Sequence, residues 1–152
     1  SEFRKKMLIL KKMHGDAVKA VKTLTTKPED PAANLARGQF QCFIIQDWTR
    51  GLPMLASGTD SRLKETAKRD IAGATNTKQM TALADVWWNL AQKKRGKSFQ
   101  KTMILVRAKY WYDKAVPDLT GLEKTKIEKR VQEIWELPAI LQGIQKNAAP
   151  TR

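Results

Sequence analysis

The fold is decided by residues 83–119, which read LADVWWNLAQKKRGKSFQKTMILVRAKYWYDKAVPDL. This stretch contains three of the five tryptophans and both tyrosines, namely Trp87, Trp88, Trp111, Tyr110 and Tyr112. Apolar residues recur every three or four positions on both sides of KKRGKS at 93–98, which interrupts the spacing. We therefore predict two antiparallel helices that are held together by aromatic side chains and joined by a basic connection.

Helical spacing continues outside this stretch. One stripe in the first helix has steps of three and four: Met7, Leu10, His14, Ala17, Val21 and Leu24. We expect His14, within this stripe, to be a buried or half-buried neutral imidazole. No segment has the residues and flanking turns of a strand. The sequence thus predicts an all-α protein of six or seven helices.

Several residues are placed to start or stop these helices. We expect side-chain caps from four residues, two of which open capping boxes: Asp30, Asp60, Asn76 with Gln79, and Thr120 with Glu123. Pro53 lies inside the third helix and predicts a kink or a late start, because proline cannot donate a backbone hydrogen bond. Gly58 is placed to end that helix in the left-handed conformation.

The second predicted helix ends in CFII, which is apolar all round and should be buried. Gly38, just before it, would let a neighbouring helix approach closely. Cys42 is the only cysteine, so it has no disulfide partner within the chain, and we expect a core residue rather than a nucleophile.

With 152 residues the chain is long enough for one helical domain, which we assign to 4–137. The first three residues, 1–3, lack a start methionine, and we expect them to come from an expression vector. Residues 138–152 are expected to form a tail or the start of a linker. No apolar run approaches the length of a transmembrane helix or a signal-peptide core. Membrane insertion is therefore not expected.

The net charge of +14 is concentrated in two basic blocks, 4–28 and 93–130. Lysines that solvate the outer faces of helices would explain such blocks. An acidic protein surface, nucleic acid or an anionic membrane would also be attracted to them.

No combination of residues has the spacing of a catalytic, cofactor or metal site. The single histidine lies on an apolar stripe, away from any Ser or Cys nucleophile pattern. KKRGKS has a lysine and a serine, but it lacks the glycine pattern and the preceding strand of a phosphate loop. We predict no catalytic residues, no metal ligands and no cofactor, and we do not expect an enzyme.

Two pairs of helices resemble tetratricopeptide-like helical hairpins. ANLARGQFQCFIIQDWTRGLPMLA, at 33–56, is the first pair, and ALADVWWNLAQK with RAKYWYDKA, within 82–115, is the second. The resemblance implies stacked antiparallel hairpins that share a core. DWTRGLPMLASGTD, ADVWWNLA and RAKYWYDKAVPDLTGLEKTKIEKRV also resemble a module of large multi-domain proteins in planctomycete-type bacteria. That resemblance implies a fragment of a longer chain and no particular activity.

Three functions stay open at this point. The hairpin pattern favours a non-catalytic protein–protein interaction or scaffold module that binds a protein partner or flanking domains of a parent chain. The basic blocks and nearby aromatics favour nucleic-acid binding, and an exposed tryptophan could also stack on a carbohydrate ring. The adjacent Trp87 and Trp88 point about 100° apart on a helix, so both cannot lie centrally on one face. Our candidate partner-binding residues are Trp88, Lys93, Lys94, Arg95 and Lys97.

Overall fold

In the computed structural model, residues 1–96 and 98–137 are described. Over this part of the chain the structure is all-α, with seven α-helices and no strand. The helices are α1 (Glu2–Thr26), α2 (Pro31–Gln39), α3 (Trp48–Ala56), α4 (Ser61–Ala72), α5 (Thr77–Gln92), α6 (Phe99–Ala115) and α7 (Gly121–Trp135). The predicted fold class is confirmed.

The chain divides into two compact units, Ser1–Ala72 and Gly73–Arg152. The first contains α1 to α4 and the second α5 to α7. The single domain expected over 4–137 stays a prediction. Ser1 accepts a hydrogen bond at its hydroxyl from the Arg4 amide at 3.3 Å and so caps α1, which begins at Glu2. The expected tail at 138–152 lies outside the described residues.

In the first unit, each helix packs on the next one along the chain. Two glycines allow the contact with α3. A Cβ on Gly38 would lie 2.9 Å from the backbone nitrogen of Leu55, and one on Gly51 would lie 2.3 Å from Cys42 Sγ. The predicted close approach at Gly38 is confirmed, and Cys42 is fully buried, as expected.

A six-residue π-helix, Phe40–Ile45, continues α2 and was not predicted. Its wider turn ends at Gln46, which adopts the left-handed conformation at φ 65°. The Asp47 carboxylate then accepts from the Arg50 amide at 3.1 Å and starts α3. Non-glycine residues seldom adopt positive φ, and π-helical turns are often found at functional sites.

Helix α3 begins at Trp48 and contains Pro53, as predicted, and the late start that was the alternative to a kink does not occur. Two other expectations about the first unit are wrong. Gly58 is not left-handed; it has to be small because a Cβ there would lie 3.2 Å from Leu35 Cβ. His14 is exposed, because α1 buries Ala17 and Ala20 and leaves the side of the predicted stripe that holds His14 uncovered.

In the second unit, α6 packs against both α5 and α7. Trp87 of α5 and Tyr112 of α6 are completely buried, and the aromatic contact predicted for this hairpin is made by Trp88 with Tyr112. Burying each such ring stabilises the unit by roughly 1.5–3 kcal/mol. Pro117 lies in a short 3₁₀ turn, Val116–Asp118, directly after α6.

The two predicted capping boxes differ in outcome. Asn76 accepts from the Gln79 amide at 2.9 Å, while Gln79 Oε1 accepts from the amide of Thr75 instead of Asn76. Thr120 precedes α7 but makes no side-chain capping bond, so the second box is wrong. Gly121, which follows it, adopts the left-handed conformation at φ 63°.

Candidate functional site

The predicted partner-binding residues lie at the end of α5 and in the turn after it. Lys93 and Arg95 are exposed, Lys94 is half-buried, and the turn is completed by Gly96 at φ 67°. Lys97 lies outside the described residues. Trp88 is half-buried on α5, the preceding helix.

The Trp88 ring has partners within its own unit. The guanidinium carbon of Arg130 on α7 lies 4.5 Å from the centre of the ring. Tyr112 meets the same ring edge to face, with centroids 6.5 Å apart. An indole covered in this way by a cation is a poorer platform for stacking on a base or a sugar than a bare one.

A polar network that was not predicted from the sequence lies beside this ring. The Tyr112 hydroxyl donates to Asp85 Oδ1 at 2.6 Å. One guanidinium nitrogen of Arg130 lies 3.1 Å from the same carboxylate oxygen and 2.7 Å from the Tyr112 oxygen. These bonds join α5, α6 and α7.

The pKa of Tyr112 is raised above its ordinary value, first by burial and then by the hydrogen bond to Asp85. Arg130 acts in the opposite direction but is the smaller influence. The phenol therefore stays protonated at neutral pH and serves as a hydrogen-bond donor. We interpret the network as a structural connection between the three helices.

Among the described residues of the block 93–130, four cations lie over aromatic rings. Besides Arg130, they are Arg107 and Lys114, at 4.2 and 5.0 Å from the centre of Tyr110, and Lys109, at 4.9 Å from the centre of Trp135. Lys109 also pairs with Asp113 at 2.6 Å. Part of the charge in this block thus has partners inside the second unit.

An open apolar groove lies in the first unit, between α1 and the π-helix. Its volume is about 530 Å³, and its exposed lining is almost entirely apolar. Met7, Leu8 and Leu10 line it from α1, and Phe40 and Ile44 line it from the π-helix. We call this feature the α1 groove.

Charged and polar residues border the α1 groove on its α1 side. Arg4 and Lys11 are both exposed there, whereas Ala17 and Ala20 on the same helix are buried. His14 lies at one end, where its ring meets Phe40 edge to face with centroids 5.6 Å apart. We call Arg4 and Lys11 the basic rim.

The α1 groove follows a seven-residue repeat along α1. The repeat has two series: Met7, His14 and Val21 in the first, and Leu10, Ala17 and Leu24 in the second. Ala17 is buried and Leu10 and Leu24 are half-buried, whereas the whole first series is exposed. Only one side of the repeat is therefore covered within the first unit.

The sequence contained a signal for this groove. The stripe predicted for the first helix includes both series, and a strict spacing of seven is typical of a helix that packs against other helices along its length. What the spacing did not show is which series the neighbouring helices cover.

Comparison with protein-family models, with curated proteins and with solved structures gives no match. Among the described helices, none is both long and apolar enough to span a bilayer. Within residues 1–96 and 98–137, no three His, Cys, Asp or Glu side chains come together as metal ligands.

Proposed function

We propose that this protein is a non-catalytic interaction module that binds a protein segment in the α1 groove. The observation that carries the proposal is the exposure of large apolar side chains along the groove: Met7 is 46% exposed and Leu8 61%. Contiguous apolar surface of this kind is typical of sites that another protein covers.

The shape of the groove supports the same function. Its volume falls in the range of sites that hold a small ligand or a side-chain cluster, and it is open along α1 rather than enclosed. The π-helix supplies Phe40 and Ile44 as the opposite wall. A partner segment could bury its own apolar residues between these two walls.

Nucleic-acid binding through the basic turn is the less favoured alternative. Lys93 and Arg95 are exposed and available to phosphates. Trp88, the aromatic residue predicted to act with them, is instead covered by Arg130. Binding to phosphates alone would depend steeply on salt and carry no selectivity for bases.

Selection from a displayed peptide library would test the proposal. We expect peptides selected on the wild-type protein to lose at least about tenfold in affinity when Met7→Ser and Leu8→Ser are combined. Ile71→Ser is the matched control, because Ile71 is 51% exposed on α4 and does not line the groove. Peptides that bind both variants as well as the wild type would contradict the proposed function.

A further inference from the structure

We infer that the partner of the α1 groove is an amphipathic α-helix whose apolar face is flanked by acidic residues. The inference rests on the proposed function and adds the secondary structure and the charge of the bound segment. It follows from the repeat along α1, from the concave shape of the groove and from the distribution of charge around it.

The seven-residue repeat along α1 favours a helical partner. Residues spaced by seven stay on one side of a helix over several turns and match the spacing of a second helix packed alongside. Met7, His14 and Val21 form such a row and remain exposed. A helix laid against this row would complete the packing that α2 and the π-helix provide on the other side.

The positive charge of α1 favours acidic residues beside the apolar stripe of the bound helix. Helix α1 carries seven Lys or Arg residues against two acids. The basic rim stands next to the apolar row, where it would face residues beside the apolar stripe of a bound helix. Glu or Asp at those positions would pair with Arg4 and Lys11 and would speed association.

The same charges disfavour a second copy of this chain. Two α1 helices packed through their exposed rows would bring the basic rim and the other lysines of each helix near those of its partner. Like charges at such flanking positions oppose pairing and direct a helix towards a partner of opposite charge.

The shape of the site favours a helix over an anionic membrane surface. A helix that lies on a membrane presents a convex apolar face to the lipid. Here Met7 and Leu10 face a concave site whose second wall is Phe40 and Ile44. A helix packed along the groove can contact both walls at once, whereas a flat bilayer surface reaches only their edges.

The test uses three designed peptides with the full protein. The first has three heptads with Leu at the a and d positions and Glu at e and g, so that its own charge opposes self-association. The second replaces each Glu by Lys, and the third keeps the composition of the first in scrambled order. Fluorescence anisotropy is measured at about 50 mM and about 500 mM salt.

We expect the Glu peptide to bind at least about tenfold more tightly than the Lys peptide and the scrambled peptide. Combining Arg4→Gln with Lys11→Gln should weaken its binding about threefold to tenfold at low salt and less at high salt. The matched control combines Arg69→Gln with Lys78→Gln, which removes the same charge from exposed positions outside both basic blocks. Binding by that control should stay within about twofold of the wild type.

Equal affinity for the Glu and Lys peptides would overturn the inference. An equal loss of affinity in the rim variant (Arg4→Gln with Lys11→Gln) and in the control (Arg69→Gln with Lys78→Gln) would also overturn it. Binding to phosphatidylserine vesicles without binding to the Glu peptide would assign the groove to a membrane surface instead. If the library yields groove-binding peptides that are extended or neutral, the proposed function stands and the helical acidic partner is wrong.

Discussion

The Tyr112 hydroxyl and the Asp85 carboxylate lie 2.6 Å apart, although they are 27 residues apart in the chain. Tyr112 is fully buried, and Arg130 reaches both oxygens from α7. This hydrogen bond thus links α5 to α6 at the point where α7 also makes contact. The contribution of the Tyr112–Asp85 hydrogen bond can be measured as a change in the free energy of unfolding.

Tyr112→Phe should destabilise the protein by about 1–2 kcal/mol near neutral pH, because the buried bond to Asp85 is lost. The pKa of Tyr112 is raised in the folded state, so the unfolded chain releases this proton first as the pH rises above about 10. The contribution of the hydroxyl is therefore complete below that pH and is lost above it, by up to about 1.4 kcal/mol per pH unit.

Urea unfolding of the wild type and Tyr112→Phe between about pH 8 and pH 11 would measure this contribution. The difference in free energy of unfolding should shrink with pH, while the titration of lysines affects both proteins alike. A difference that stays constant over this range would contradict the assigned state of Tyr112.

Arg130→Met should cost about 1–3 kcal/mol, because it removes a charged donor from Asp85 and uncovers the Trp88 ring. Combined with Tyr112→Phe, its effect should be non-additive by about 0.5 kcal/mol or more, since both residues bond the same carboxylate oxygen. Lys129→Met is the control on the exposed side of α7, with an expected effect within about 0.5 kcal/mol. If the two substitutions have additive effects on the free energy of unfolding, Tyr112 and Arg130 do not act together through Asp85.

Gly38→Ala and Gly51→Ala should each destabilise the first unit by about 1–3 kcal/mol, because the new methyl group meets atoms of a neighbouring helix at 3.0 Å or less. Gly15→Ala should instead stabilise the protein. Gly15 lies inside α1, and a Cβ added there would meet no neighbouring atom within 4 Å, so alanine gains about 0.5–1 kcal/mol of helix stability. Thermal unfolding by circular dichroism would compare the three, and a stabilising Gly38→Ala would contradict the close crossing.

Asp60→Ala should cost about 1 kcal/mol, because the carboxylate accepts from the amides of Arg62 and Leu63 at 3.2 and 3.1 Å. Thr120→Ala should cost less than about 0.5 kcal/mol, because this side chain caps nothing. Chemical unfolding of each variant against the wild type would measure the contrast. Equal costs would mean that Thr120 does act as a cap.

Interactions between residues that are close in the chain determined the fold class and the starts of several helices. Periodic apolar residues and caps such as Asp30 and Asp60 act within a few residues of themselves, so the helical fold class and several helix starts could be predicted from order alone. The close approach at Gly38 and the burial of Cys42 also follow from residue type, because a glycine in an apolar helix leaves room that a neighbour can fill.

Only the tertiary structure decided which face of each helix is covered. The stripe from Met7 to Leu24 looks continuous in the sequence, but α2 and the π-helix cover one side of it and leave the other exposed. In the same way, the contact of Arg130 with Trp88 joins helices that are distant in the chain. Side-chain spacing repeats within one helix, whereas burial depends on where the next helix packs, and that position is a property of the whole fold.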